Sequence, residues 1–372
     1  MAFNTPKYIM VGGFLGAGKT TTIAHFGNYL SQLGHKVGLI TNDQANGLVD
    51  TAMLRSKGFA TEEIAGGCFC CRFSSLTNAA ENLTRDASPD VFLAEPVGSC
   101  TDLVATVTYP LRRLYGESYE LSPFSVLVDP VRARRVLGLD PGRKFAPKVE
   151  YIYLKQLQEA HAIVINKCDS IDARQINELK EVLESRFPGT SIFTISARNQ
   201  DGEFRKWMDW VIANIVENSP SMEIDYDTYA EGEAMLGWLN ATFTLESADS
   251  AGTDSSRLLT EFCTQIQKSI ADRDGEIAHL KMTLSPHTGL GDIAIINVVR
   301  NDIVPELSQT IDEPVTSAEV VVNLRAEADP EILEAIVRST AAAVSSDTIL
   351  LTCDHLESFR PGRPVPEHRD AG

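Results

Sequence analysis

Gly13-Phe14-Leu15-Gly16-Ala17-Gly18-Lys19-Thr20 is the stretch whose reading decides the fold of this chain. It is a full G-x4-G-K-T, preceded by a short apolar run at residues 8–11 and followed by a helix-patterned segment to about Leu33. Gly34 then stands where a helix C-cap glycine belongs. Strand, glycine turn and helix, in that order, form the setting in which this pattern carries chemistry. Glycines let the backbone curl until successive N–H groups point at phosphate oxygens, and the helix N-terminus adds its positive end. Gly13, Gly16, Ala17, Gly18 and Thr21 belong to this cradle. Lys19 is placed to reach the β- and γ-phosphates, and the Thr20 hydroxyl to ligate Mg²⁺.

Outward from this loop, buried-strand runs at residues 37–41, 91–94, 124–129, 162–166 and 191–196 alternate with helix-patterned segments. That is the pattern of an α/β domain, a mostly parallel sheet covered by helices on both faces, here over residues 1–216. Residues 217–233 are polar, acidic and aperiodic and read as a linker. Residues 234–360 change texture. Ala241, Phe243 and Leu245 alternate, as do Leu280, Met282 and Leu284, and Val320, Val322, Leu324 and Ala326. Leu258, Leu259, Phe262, Ile266 and Ile270 have helical spacing, and Asp329-Pro330 opens a second helix. The expected order is β-α-β-β-β-α-β, a smaller α/β domain whose open sheet carries helices on one face. Residues 361–372 are left as a tail.

The chain has 372 residues and a net charge of −18, and the charge is unevenly spread. Residues 223–372 hold 10 basic and 27 acidic side chains, whereas residues 1–222 are nearly balanced. Such asymmetry fits two domains with different surfaces, and an acidic surface excludes general nucleic-acid binding. No apolar run approaches the roughly 20 residues that span a bilayer, and the first residues lack the layout of a secretory signal. A soluble, cytoplasmic protein is expected. Seven cysteines then point to metal or redox chemistry rather than disulfides.

Three further motifs follow. In Asn166-Lys167-Cys168-Asp169, a carboxylate at Asp169 can accept from both N1–H and the 2-amino group of guanine, donors that adenine does not present there. Lys167 can lie along the base, Asn166 can tie the loop to its neighbours, and Ser196-Ala197 closes the next strand end. These residues select GTP and GDP. Glu95-Pro96-Val97-Gly98 ends an apolar strand in a carboxylate suited to Mg²⁺ or the attacking water, and Gly98 lets the backbone approach the γ-phosphate. Finally, Gly66-Gly67-Cys68-Phe69-Cys70-Cys71 packs three thiols into four residues, a soft-ligand cluster for Zn²⁺ or a related ion. In a straight strand Cys71 would face away from Cys68 and Cys70, so convergence requires a turn, which the glycines permit. Buried small hydrophobes and a redox pair are the competing readings of these cysteines.

The set GGFLGAGKTT, EEIAGGCFCC, AEPVG and NKCD, in this order over about 215 residues, resembles the CobW-like GTPases, a branch of P-loop GTPases serving metal-centre maturation. The resemblance implies hydrolysis of GTP, with Lys19, Thr20, Glu95 and Asp43 at the catalytic centre and Thr20 and Glu95 on Mg²⁺. It implies that Cys68, Cys70 and Cys71 bind a cargo metal, usually zinc or cobalt. The implied partner is a client metalloenzyme or a cobalamin-dependent protein, with a homodimer an open alternative. The family's N-E-x-x-E is here Asn42-Asp43-Gln44-Ala45-Asn46, so one carboxylate is missing. Cys100, five residues after Glu95, is a further candidate ligand, and the seven histidines are scattered. The rival readings are a small-molecule kinase, a zinc-binding regulator that uses GTP structurally, and a gate for a cobalamin enzyme.

Overall fold

The computed structural model describes residues 3, 5–42, 54, 58–64, 66–116, 118–216, 221–288 and 292–370. It divides into two compact units, Met1–Tyr229 with Arg363–Gly372, and Ala230–Gly362.

The first unit is built on strands β1 (Lys7–Gly13), β2 (Val37–Asn42), β3 (Ala60–Ile64), β4 (Val91–Glu95), β5 (Glu120–Leu121), β6 (Ser125–Val128), β7 (Ala162–Ile165) and β8 (Ser191–Thr194). Their order is β3-β2-β4-β1-β6-β7-β8, with β5 beside β1, and every pairing among them is parallel. The central strands are buried along their whole length, as continuous apolar runs in a doubly covered sheet require. The helices are α1 (Lys19–Gln32), α2 (Phe73–Ala87), α3 (Tyr109–Tyr115), α4 (Pro130–Val136), α5 (Pro147–Glu159), α6 (Ala173–Arg186) and α7 (Gly202–Ala213). Phe26 and Leu30 of α1 and Trp207 of α7 meet Ile9, Val11, Leu127 and Val164 of the sheet in one core. After β4 the chain crosses to the other side of β1. The carboxyl end of β1 is therefore a topological switch point, where open α/β sheets hold their ligands.

Helix α8 (Tyr226–Met235) occupies the second half of the stretch expected as a linker. Asp225 starts it by accepting the amides of Asp227 and Thr228, and the Tyr229 side chain is fully buried. Of the helix's acidic residues Asp227 and Glu231 are exposed, whereas Glu233 is buried.

The second unit contains β9 (Leu236–Ser247), α9 (Ser255–Ala271), β10 (Glu276–Pro286), β11 (Ala294–Val298), β12 (Glu306–Gln309), β13 (Ser317–Glu327), α10 (Pro330–Val344) and β14 (Ile349–Phe359). The strands form an antiparallel sheet in the order β12-β11-β10-β13-β9-β14. The alternating residues read from the sequence point inward and pack on α9 and α10. Strand β12 is one more than expected; it is short and mostly exposed, so it leaves no apolar alternation to read. Asp329 stands at the N-cap of α10 but pairs with Arg360 rather than with the helix amides. From Arg363 the chain belongs to the first unit.

Candidate functional site

The G-K-T loop links β1 to α1 at the switch point. Gly18 takes φ +91°, and a Cβ there would lie 2.5 Å from the Asn166 amide nitrogen, so glycine is required twice over. Lys19 folds back over the loop, its Nζ donating to the Gly13 carbonyl at 2.9 Å. That geometry holds an ammonium against the loop at the start of α1, a charge that fits a polyphosphate. The Thr20 hydroxyl donates to Glu95 Oε1 at 2.9 Å, so the two side chains expected on Mg²⁺ meet across 75 residues. Gly98 packs against the loop, where a methyl group would sit 2.8 Å from Leu15 Cδ2 and 3.0 Å from Lys19 Nζ.

The loop of residues 166–169, expected to select guanine, is tied to the G-K-T loop by direct bonds. Asn166 donates to the Ala17 carbonyl at 2.9 Å and accepts the Ala197 amide at 3.0 Å. Lys167, in the left-handed conformation at φ +54°, donates to the Gly16 carbonyl and to Asp129. Asp169 accepts the Ser196 hydroxyl at 2.6 Å, which aims its carboxylate. Cys168 lies beside Asp201, and burial raises its thiol pKa. Sequence reasoning missed Arg132, whose guanidinium lies between the rings of Phe14 and Phe145 and donates to the Leu15 carbonyl at 2.7 Å. An arginine inside a short helix carries no pattern that marks it as a support of the loop.

The three motif thiols converge. The Sγ atoms of Cys68, Cys70 and Cys71 all lie within 4.8 Å of one another, with Cys68 and Cys70 at 2.9 Å. A turn brings them together, closed by the Cys71 amide on the Cys68 carbonyl and preceded by Gly66 at φ +75° and Gly67 at φ +155°. Hydrogen bonding from Cys100, Cys70 and Cys71 holds the Cys68 thiol well below its usual range. The bond with that thiol raises Cys70 far above its own and pushes Cys71 up to about 12. Three converging thiols form a soft-donor set, and a divalent cation bound by all three would have to displace their protons. Cys100 is buried against Cys68, so the structure brings the further candidate to the cluster.

Two short paths join the thiols to the phosphate end. Asn42, at the end of β2, donates to the carbonyls of Ile64 and Gly67 at 2.9 and 2.6 Å. Gln156 of α5 donates to the carbonyls of Gly98 and Cys100 at 2.9 and 2.8 Å. No sequence pattern marks Gln156 as part of the site. Asp43, the remaining carboxylate expected at the catalytic centre, lies outside the described residues. Among the described residues no helix is long and apolar enough to cross a membrane.

Residues 7–194 match the family model described as CobW/HypB/UreG, nucleotide-binding domain. A zinc chaperone CobW from a Sinorhizobium species is 30% identical over 199 residues, covering 48% of this chain and 55% of the relative. The zinc chaperone YjiA of Escherichia coli K12 is 28% identical over 194 residues, covering 50% and 56%. The chain thus spans about half the length of the curated relatives it matches. Among solved structures, Zn(II)-bound YjiA GTPase from E. coli aligns with 92% of this chain and 100% of its own at 17% identity and a TM-score of 0.38. Nickel-bound HypB from Helicobacter pylori aligns with 56% and 86% at 19% identity and a TM-score of 0.41.

Proposed function

The chain belongs to the CobW/HypB/UreG family of nucleotide-binding domains, and from that premise we propose that it hydrolyses GTP in order to hold and release a transition metal, Zn(II) or Co(II), for a client protein. The metal is cargo, bound by Cys68, Cys70 and Cys71. The relatives named zinc chaperones make Zn(II) the first ion to test. The client is a metalloenzyme or a cobalamin-dependent protein.

In this reading Asn166, Lys167, Asp169, Ser196 and Ala197 hold the guanine base, and residues 13–21 hold the phosphates. Mg²⁺ bound with the nucleotide would rest on Thr20 and Glu95 and supply charge compensation for the leaving diphosphate. Water attacks the γ-phosphorus, the bond to the bridging oxygen breaks, and Lys19 offsets the charge that accumulates there. Asp43 is retained as a candidate for placing the water.

The observation that carries the proposal is the pair of hydrogen-bonded paths between phosphate end and thiols, Asn42 to Gly67 and Gln156 to Gly98 and Cys100. A γ-phosphate against Gly98 would fix the position of Cys100, and with it the neighbourhood of Cys68. GTP then tightens the thiol cluster and GDP relaxes it. Linkage requires the converse: metal must tighten GTP binding by the same factor, typically about 5–150-fold. The test is a pair of titrations with Zn²⁺ or Co²⁺, one with a non-hydrolysable GTP analogue and one with GDP. Tighter metal binding with the analogue is expected; equal affinities would leave only a static structural zinc site. Lys19→Ala should abolish turnover while leaving the circular dichroism spectrum unchanged.

A further inference from the structure

Arg363-Pro364-Val365-Pro366-Glu367-His368-Arg369-Asp370 lies across the thiol cluster, nearly 300 residues from it in sequence. The two prolines hold the segment extended and leave Val365 and Glu367 as the amide donors of residues 364–367. Both are used on the motif. The Val365 amide donates to Cys71 Sγ at 3.2 Å and the Glu367 amide to the Cys70 carbonyl at 2.9 Å. The Glu367 carboxylate accepts the Ser74 amide and hydroxyl at 2.9 and 2.8 Å, capping the N-terminus of the 15-residue helix α2, where a negative charge is favoured. His368 meets the Phe73 ring edge-on. Arg369 Nε donates to Asp102 at 2.8 Å, and the Asp370 amide donates to the Ala105 carbonyl at 2.9 Å.

We propose that this surface is a peptide groove built over the metal thiols, filled in the isolated protein by residues 363–370, and that a client enters it by presenting an extended segment of the same chemistry: a carboxylate followed two residues later by a guanidinium. The client part rests on the chaperone reading; the groove does not.

Three observations define what the groove accepts. Cys70, Cys71 and Ser74 read backbone amides and a carboxylate. Asp102 reads a cation: its side chain is 1% exposed, it sits at φ +66°, and its carboxylate receives the Tyr226 hydroxyl at 2.6 Å as well as Arg369. A buried carboxylate is costly without a paired charge, so the segment cannot simply leave; it exchanges most easily with a strand that supplies another guanidinium. The contacts of Glu367 and Arg369 are partly exposed and individually weak, which makes exchange possible. Because an amide of the occupant bonds the sulfur of a metal ligand, whatever fills the groove also governs access to Cys71.

The experiment uses the full chain and a fluorescent synthetic peptide of residues 361–370. In the native protein the tethered segment competes at an effective concentration on the order of millimolar, so micromolar peptide should not bind. In the Glu367→Ala/Arg369→Ala double variant the peptide should bind, and a peptide carrying the same two alanines should not. Cys71 alkylation should quicken by at least about tenfold in the variant, as loss of a charge-assisted bond implies, and slow again when native peptide is added. For a readout independent of the variant's folding, hydrogen exchange at the native chain's own Val365 and Glu367 amides should rise with millimolar peptide. Equal peptide binding by native and double-variant chains, or unchanged Cys71 alkylation together with unchanged amide exchange, would overturn the groove. Peptide-induced dimers formed by strand exchange would overturn the client part. None of these readouts needs GTP or metal, so their failure and that of the GTP-linked metal reading are separable.

Discussion

Glu159→Gln probes the segment between the phosphate end and the thiols through its proton balance. Glu159 ends α5 and is buried; one carboxyl oxygen accepts the Thr101 hydroxyl at 3.1 Å and the other the Val104 amide at 3.0 Å. Burial pushes its pKa up to about 8, with the charge of Asp102 acting in the same direction and the Val104 amide opposing it. In the unfolded chain the value is 4.5. The folded pKa is the higher one, so the contribution of this group is complete below the unfolded pKa and is lost as pH rises toward the folded one. Within that window the unfolded chain has released its proton while the folded chain keeps it, and stability falls by about 1.4 kcal/mol per pH unit. The whole shift sets a ceiling of about 5 kcal/mol, and the interval from about pH 5.5 to about pH 7.5 accounts for about 2.5 kcal/mol. Glutamine mimics the protonated acid. Its carbonyl can take the Val104 amide and its nitrogen can donate to Thr101, and it does not titrate. Urea melts at the two pH values, followed by tryptophan fluorescence with Trp207 and Trp210 reporting the first unit, should show native stability falling and the variant staying level by comparison. Parallel profiles for the two proteins would mean that Glu159 is ionised in the fold and the neutral carboxyl is not what holds residues 101–104.

Asp169→Asn should weaken GTP binding by about 10²-fold and favour a xanthine nucleotide, since one charged acceptor pair is lost and a 2-oxo group accepts what Asn donates; nucleotide competition by calorimetry measures it. Gly98→Ala should cut GTP turnover by about 10²-fold with little change in melting temperature, because the added methyl displaces Lys19 Nζ and Leu15 at the phosphate end rather than unpacking the core. Gln156→Met keeps the volume but removes the donors to the Gly98 and Cys100 carbonyls, so the ratio of metal affinities between GTP and GDP states should fall toward one while both ligands still bind.

Much of this site was legible because its motifs are local. A glycine that must take a positive φ, as Gly18 does, and a lysine directly after it are read from adjacent positions. The parallel sheet was legible because strands buried on both faces are continuous apolar runs. The turn that gathers Cys68, Cys70 and Cys71 was announced by Gly66 and Gly67. What stayed hidden depends on contacts between distant residues. Gln156 and Glu159 look like polar positions on an ordinary amphipathic helix, yet both are buried and bind the backbone of another segment. Residues 363–370 read as a polar end after the last strand, since nothing in their own composition reveals that Asp102 and Ser74 receive them. Strand β12 was missed for the opposite reason, having too little buried surface to impose a pattern.

The charge state of the thiols connects these parts. Hydrogen bonding from its neighbours lowers the Cys68 thiol pKa, while the bonds to Cys68 raise those of Cys70 and Cys71. A metal taking all three sulfurs must therefore displace their protons, and its binding is as sensitive to the spacing of the thiols as to their number. Spacing is what the surrounding bonds control. Cys100 donates to Cys68 from a segment pinned by Gln156 beside Gly98, the Val365 amide occupies Cys71, and Asn42 holds the turn at Gly67. Each of these partners belongs to a different segment: the loop after β4, residues 363–370 and the end of β2. The charge states of Cys68 and Cys71 thus depend on Cys100 and on the Val365 amide, both distant from the motif in sequence. Under the proposed function, GTP hydrolysis and a client strand would act on a bound metal through these contacts without touching it directly.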